Sequence, residues 1–273
     1  MEAEPPPAWP EQLQDWYDRI GSVRPGEPFG ELVVRAARSQ VGKLYVLPPQ
    51  TADPEALSVD LSGFECVSLV EASLAVARCT YVETPDQSCF TSELQAFRYR
   101  GGVIEGYASR LHYFSDWLDD NAARGSLELL TLALGGDRVP FTFDYMSKRA
   151  HRYPALTDPD VAEEIVAVEQ RLSATQRVMI DREAVAPIHG QLQSGDVVAV
   201  VGNWPGLFIR HVGLVDVGPD GLPHLLHASS LLKVVTVTRG SVGSYITWND
   251  KRRGVVIARP LPPQPAGGVV APD

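Results

Sequence analysis

The chain has 273 residues, with 34 acidic side chains against 24 basic ones and a formal net charge of −10. That balance argues against a nucleic-acid binder, which normally shows a basic face, and against adhesion to an anionic membrane. With 44% hydrophobic and 21% charged residues it reads as a globular protein long enough to bury a sizeable core, and no apolar stretch has the length of a membrane-spanning helix.

Met1 to Pro10 carries neither a basic n-region nor an apolar h-region. That fits either a cytoplasmic protein or a mature chain whose export signal has been removed. A proline-rich leader, Pro5 to Pro10, precedes helical spacing over Glu11 to Ile20, with Leu13, Trp16, Tyr17 and Ile20 on one face. After the Arg24 to Pro28 break a second helix is expected from Phe29 to Gln40, closed by Gly42. Residues 1–28 thus read as a leader and helix ahead of one domain over 29–260, with 261–273 a flexible tail rich in Pro, Gly and Ala. Lys43 to Pro49 is a short extended segment, and Ser62-Gly63 marks a turn.

Cys66 then heads an apolar run that continues to Ala77. A thiol at a helix start is a candidate nucleophile, because unpaired backbone N–H groups and the helix dipole favour its thiolate. The other two cysteines, Cys79 and Cys89, would bridge in an oxidising compartment, although the preferred reading takes both as free small hydrophobes. Either way Cys66 is the odd thiol.

Residues 91–175 read as several helices between glycine and proline breaks. Ser109 to Asp120 has helical periodicity through Leu111, Phe114 and Leu118, and Asp158 to Leu172 is amphipathic through Val161, Ile165, Val168 and Leu172. From Gly195 the texture turns to β, with strand-like runs at 196–201, 211–217, 222–227, 234–237 and 254–258. Helices first and antiparallel strands second make an α+β fold.

Pro219-Asp220-Gly221 reads as a hairpin turn. Centred on Pro219, it sets His211 directly opposite His227 on one face and pairs His224 with Leu214 on the other. A thiol and an imidazole are the nucleophile and base of a thiol hydrolase. Set against this, a lone cysteine in an apolar helix and a lone strand histidine are commonly structural. A zinc site of Cys66, His211 and His227 is disfavoured, since no His-Glu-x-x-His or Cys-x-x-Cys occurs. Neither a phosphate-binding glycine loop nor a Gly-x-Ser-x-Gly elbow is present.

Five segments, Gly63-Phe-Glu-Cys-Val-Ser-Leu-Val-Glu71, Tyr107 to Tyr113 with Trp117, Gly195-Asp196, His211-Val-Gly213 and His224 to Ser230, resemble in order a branch of the NlpC-type bacterial cell-wall peptidases. That branch is associated with N-acetylmuramoyl-L-alanine amidase activity, and the likeness spans residues 30–260 or so. It implies a papain-like α+β fold, the nucleophile helix packed on a small antiparallel sheet, with an extra helical insertion at about 91–175. It also implies Cys66 as nucleophile, His211 as general base and acid, His227 as its orienting partner and Tyr45 beside the oxyanion site. The family's usual Asp-Cys is Glu65-Cys66 here, which leaves the role of Glu65 open. Ser109, Arg110 and His112 fall in a motif that general cell-wall peptidases lack. They imply substrate recognition, with Arg110 gripping a carboxylate and Tyr113 or Trp117 packing on a sugar; the alternative is that Arg110 and His112 simply tie this segment to the core. Glu71 is read as orienting the site, binding substrate or simply stabilising its helix.

The implied substrate is a muropeptide, handled by a monomer without cofactor or metal. Two other readings share the same residues: an endopeptidase cutting within the stem peptide, of the D-glutamyl–diaminopimelate type, and a non-catalytic muropeptide-binding module.

Overall fold

The computed structural model describes residues 8–47, 54–82 and 85–264. Pro5 to Pro7 of the leader, Pro48 and Pro49 of the extended segment, and the tail from residue 265 lie outside the described residues.

The chain opens with α1 (Trp9–Ile20) and α2 (Phe29–Arg38). The expected stripe of α1, Leu13, Trp16, Tyr17 and Ile20, is buried, and the Trp16 indole N–H donates to Ala36 O of α2 at 3.0 Å. Helix α2 ends before Gly42, whose φ of 93° turns the chain into β1 (Leu44–Tyr45). Strand β2 (Gly63–Phe64) then leads into α3 (Cys66–Tyr81). Leu69 to Ala77 of α3 are buried without exception, so this helix has no solvent face over two and a half turns. It packs against α2, α4 (Gln87–Arg98) and the strands β7 and β8 described below.

The middle of the chain departs from the expected run of helices. Ser109 closes a single 3-10 turn over Tyr107–Ser109, and residues 110–113 are not helical: Arg110 bridges Tyr99, and the Leu111 N–H donates to Arg98 O at 2.9 Å. The helix α5 starts only at Phe114 and runs to Ala123. The apolar positions Leu111, Phe114 and Leu118 are all buried, as their spacing demands, but the first belongs to an extended approach. Two three-residue strands follow, β3 (Leu127–Leu129) and β4 (Asp137–Val139), too short to leave a period of two in the sequence. Helix α6 (Pro159–Ser173) matches its expected bounds to one residue, capped by the Asp158 carboxylate.

The remaining strands are β5 (Arg177–Asp181), β6 (Val197–Gly202), β7 (Ile209–Val217), β8 (Pro223–Ser229), β9 (Val234–Ser241) and β10 (Arg252–Pro260), with the short helix α7 (Val242–Thr247) after β9. They join the earlier strands in a ten-stranded sheet ordered β2-β1-β9-β8-β7-β6-β10-β5-β4, with β3 alongside β10. The sheet is therefore larger than the small one expected. Every pairing is antiparallel except β1 with β2. Strand β6 shows why the sheet is central: Val197, Ala199 and Val201 join the α3 core, whereas Val198 and Val200 join a second core with α7.

The β7–β8 hairpin is shifted from the expected register. Leu214 faces Leu226 and His224 faces Asp216, so the loop is centred on Asp220. The turn is longer than Pro219-Asp220-Gly221, since the Gly218 N–H closes onto Leu222 O at 3.0 Å. A shift of one in the centre changes the sum of paired positions by two and preserves which face each residue occupies. His211 and His227 consequently remain on one face, as diagonal rather than direct neighbours.

Cys79 and Cys89 form a disulfide joining α3 to α4, which overturns the preference for two free thiols. Side chains from two packed helices bring together cysteines that helical periodicity alone leaves unrelated. With a sequence separation of 10, the bridge is expected to contribute about 2.7 kcal/mol through the unfolded chain. Reduction should lower the melting temperature by about 5–10 °C; coincident melts with and without reductant would contradict a stabilising bridge.

Candidate active site

Glu65 and Ser68 set the start of α3. The Glu65 carboxylate accepts from the Val67 and Ser68 N–H groups at 2.9 and 2.6 Å, and the Ser68 hydroxyl accepts from the Glu65 N–H at 3.0 Å. This is a capping box with the acid and the hydroxyl exchanged from their usual places, and it accounts for Glu65. Cys66 follows as the first helical residue, free and half-buried. The Val212 and Val67 backbone groups hydrogen-bond its sulfur, and Val212 is the residue after His211 in β7.

The expected low thiol pKa is not found. Burial, then the neighbouring Glu65 carboxylate, pushes Cys66 well above the ordinary value, outweighing the backbone hydrogen bonds. The capping carboxylate offsets the positive helix end on which that expectation rested.

Nε2 of His211 and Nδ1 of His227 share a hydrogen bond of 2.6 Å. The register places His227 beside Gly213, where a Cβ would lie 3.0 Å from the His227 Cβ. The glycine of His211-Val-Gly213 therefore clears room for the second imidazole. Tyr245 of α7 stands over both rings, 5.3 Å from His227 and 6.3 Å from His211 between centroids, with the Arg252 guanidinium on its outer face at 3.7 Å. Burial, then His227, Arg252 and Arg210, pulls His211 down to about 3. Burial, then Arg252, pulls His227 down to about 4.

Cys66, His211, Glu71, Arg98, Arg110 and His112 line one cavity of about 470 Å³. Tyr45 stands close by: burial, then Cys66 and Glu65, pushes its phenol up to about 12. The other expected recognition residues divide. Arg110 is held at 3.6 Å from the buried Glu55. His112 lies against Tyr107, its Nε2 2.9 Å from Tyr107 O. The Ser109 hydroxyl is engaged within its own loop, donating to Gly106 O at 2.7 Å. Tyr113 and Trp117 cannot meet a sugar, being only 2% and 0% exposed. The Tyr113 hydroxyl instead donates to Glu169 at 2.5 Å. Glu71 accepts from Arg98 Nε at 2.9 Å, and Arg98 also donates to Ser58 O at 2.7 Å. Among the described residues no three His, Cys, Asp or Glu side chains group as metal ligands.

Sequence reasoning missed Arg152, Arg210 and Tyr153 in the cavity wall, and Tyr245 and Arg252 behind the imidazoles. Arg210 had a usable signal, because it adjoins His211 in the sequence.

Buried imidazoles make stability sensitive to acid. His211, His227 and His112 are held near 3, 4 and 4, below the ordinary 6.5, each chiefly by burial. Their unfolded forms bind protons that the folded chain refuses, so the stabilisation present above the ordinary value is lost as pH falls toward the folded ones. Each imidazole removes about 1.4 kcal/mol per pH unit over that window. The melting temperature should hold between about pH 8 and 7 and fall steeply from about pH 6 to 4.5. A flat profile there would show that the rings are not buried neutral.

Residues 40–255 match the family described as AmiA-like, N-acetylmuramoyl-L-alanine amidase-like. The chain belongs to that family. Two crystal structures of an N-acetylmuramoyl-L-alanine amidase from Bacteroides uniformis are similar, at 29% and 30% identity, each with a TM-score of 0.78 over 85% of this chain and 98% and 99% of theirs. A Bacteroides fragilis protein named as a xylanase is also similar, at 29% identity and a TM-score of 0.76, over 82% of this chain and 98% of its own. No curated protein matches.

Proposed function

We propose that the chain is a thiol-dependent amidase of papain-like, NlpC-type fold that hydrolyses the N-acetylmuramoyl–L-alanine bond of soluble muropeptides, 1,6-anhydro forms among them. The observation that carries this is the free Cys66 at a helix start, hydrogen-bonded by the residue that follows His211, with His211 itself bonded to His227. Membership of the amidase-like family supports the bond and the substrate class.

The resting site holds a neutral thiol and neutral imidazoles, as the raised Cys66 and lowered His211 values require. The bond to His227 engages Nε2 of His211 and leaves Nδ1 to take the thiol proton as sulfur attacks the lactyl carbonyl. The Cys66 backbone N–H, with Tyr45, stabilises the oxyanion. His211 passes the proton to the L-alanine nitrogen, the C–N bond breaks, and a muramoyl thioester remains. Water, deprotonated by His211, then attacks the thioester, and the thiolate takes back that proton as the muramoyl carboxylic acid departs. His227 holds the His211 ring in plane throughout.

The glycosidase name of one similar protein finds less support in this cavity. Its carboxylates are Glu65, which caps α3, and Glu71, which is paired with Arg98; glycoside hydrolysis needs two acids free to act on a sugar. The Cys79–Cys89 bridge favours an oxidising compartment, hence an exported chain.

Mass spectrometry of a digested disaccharide-peptide tests the proposal. Free disaccharide with intact peptide is the expected result. A shortened peptide still on its sugar would mean a stem-peptide endopeptidase, and an intact substrate that nonetheless binds would mean a non-catalytic module. Iodoacetamide should abolish turnover, whereas EDTA should not.

A further inference from the structure

Arg210 is the residue of β7 left without a partner in β6, since Val200 pairs with His211 and Val201 with Ile209. Such a bulge bends the strand and re-aims a side chain, commonly beside an active site. The Arg210 stem crosses Gly202, where a Cβ would come within 2.2 Å of its Cδ and 2.6 Å of its Cγ. Its guanidinium lies on the Trp204 ring, 3.9 Å from the centroid. Tyr145 supports that indole edge-on at 6.4 Å. A missing side chain below and an indole on one face thus fix a guanidinium whose N–H edge stays open to a ligand.

The charge around it is unbalanced. Arg98 and Arg110 line the same cavity but are matched by Glu71 and Glu55. Arg210 and Arg152 also line it, and among the described residues no Asp or Glu pairs with either. Two unmatched cations at one cavity stand out in a chain of net charge −10. A positioned arginine without an acid partner suits a carboxylate, which its fork binds through two parallel hydrogen bonds.

We propose that Arg210, assisted by Arg152, forms a subsite for a free carboxylate on the peptide part of the substrate, so that stem peptides with neutralised carboxylates are disfavoured. The inference rests on the amidase reading for its choice of ligand. It moves the carboxylate grip expected of Arg110 to residues whose charge is not already matched.

Calorimetry on the Cys66→Ala chain tests it without turnover, with L-alanyl-γ-D-glutamyl-diaminopimelate as probe in free-acid and fully amidated forms. The free acid should bind at least about 10-fold more tightly than the amide. Arg210→Met should erase that gap, Arg210→Lys should restore part of it, and Arg152→Met should narrow it. Gly202→Ala, which displaces the Arg210 stem, should narrow it too. Equal or unmeasurable binding of the two probes, or an Arg210→Met change that weakens both alike, would overturn the subsite. If wild-type enzyme leaves muropeptides uncut while the gap persists, the amidase reading fails and the carboxylate subsite stands.

Discussion

Cys66→Ala is expected to cut hydrolysis of the muramoyl–alanine bond by about 10⁴-fold or more, with little change in melting temperature. The sulfur is half-buried at the first position of α3, and its removal leaves Glu65 and Ser68 to cap the helix as before. Under the proposed mechanism this substitution removes the thioester route altogether, leaving binding and oxyanion contacts to supply only residual catalysis. Rates and muropeptide affinity measured on the same protein separate the outcomes. Unchanged turnover in the alanine variant would remove the thiol mechanism, whatever the fold.

The second large effect is on stability. Glu71→Ala leaves the Arg98 guanidinium, whose side chain is only 10% exposed, without its carboxylate. Breaking one side of a buried pair costs about 3–5 kcal/mol, which corresponds to a fall on the order of 10 °C in a chain of this size. Replacing both residues by methionine should recover much of the loss, because no isolated charge then remains. If Glu71→Ala instead melts normally and raises KM, the carboxylate serves the substrate rather than the helix packing.

The parts of the fold that were legible are those whose signal lies within one element. The apolar stripe of α1, the bounds of α6 and the placement of Cys66 at a helix start all follow from local periodicity or capping chemistry. The histidine pair was legible for a subtler reason. The hairpin centre was misplaced by one residue, yet pairing parity keeps His211 and His227 on one face whether the turn centres on 219 or 220. What stayed hidden depends on partners distant in the chain. Periodicity carried Ser109 to Tyr113 into a helix, but the bridge from Tyr99 holds the chain extended from Arg110 and turns Tyr113 toward Glu169. The Arg210 bulge exists only through the pairing of β7 with β6. The thiol pKa went the other way first because the site is buried, and then because the capping residue that defines the helix start is itself an acid.

Helix α3 carries both kinds of sulfur, the free Cys66 at its first turn and the bridged Cys79 near its other end. Thirteen residues of α-helix separate them by about 20 Å. The helix is thus a rigid spacer that keeps the free thiol from exchanging with the bridge, and scrambled pairings can arise only before α3 has formed.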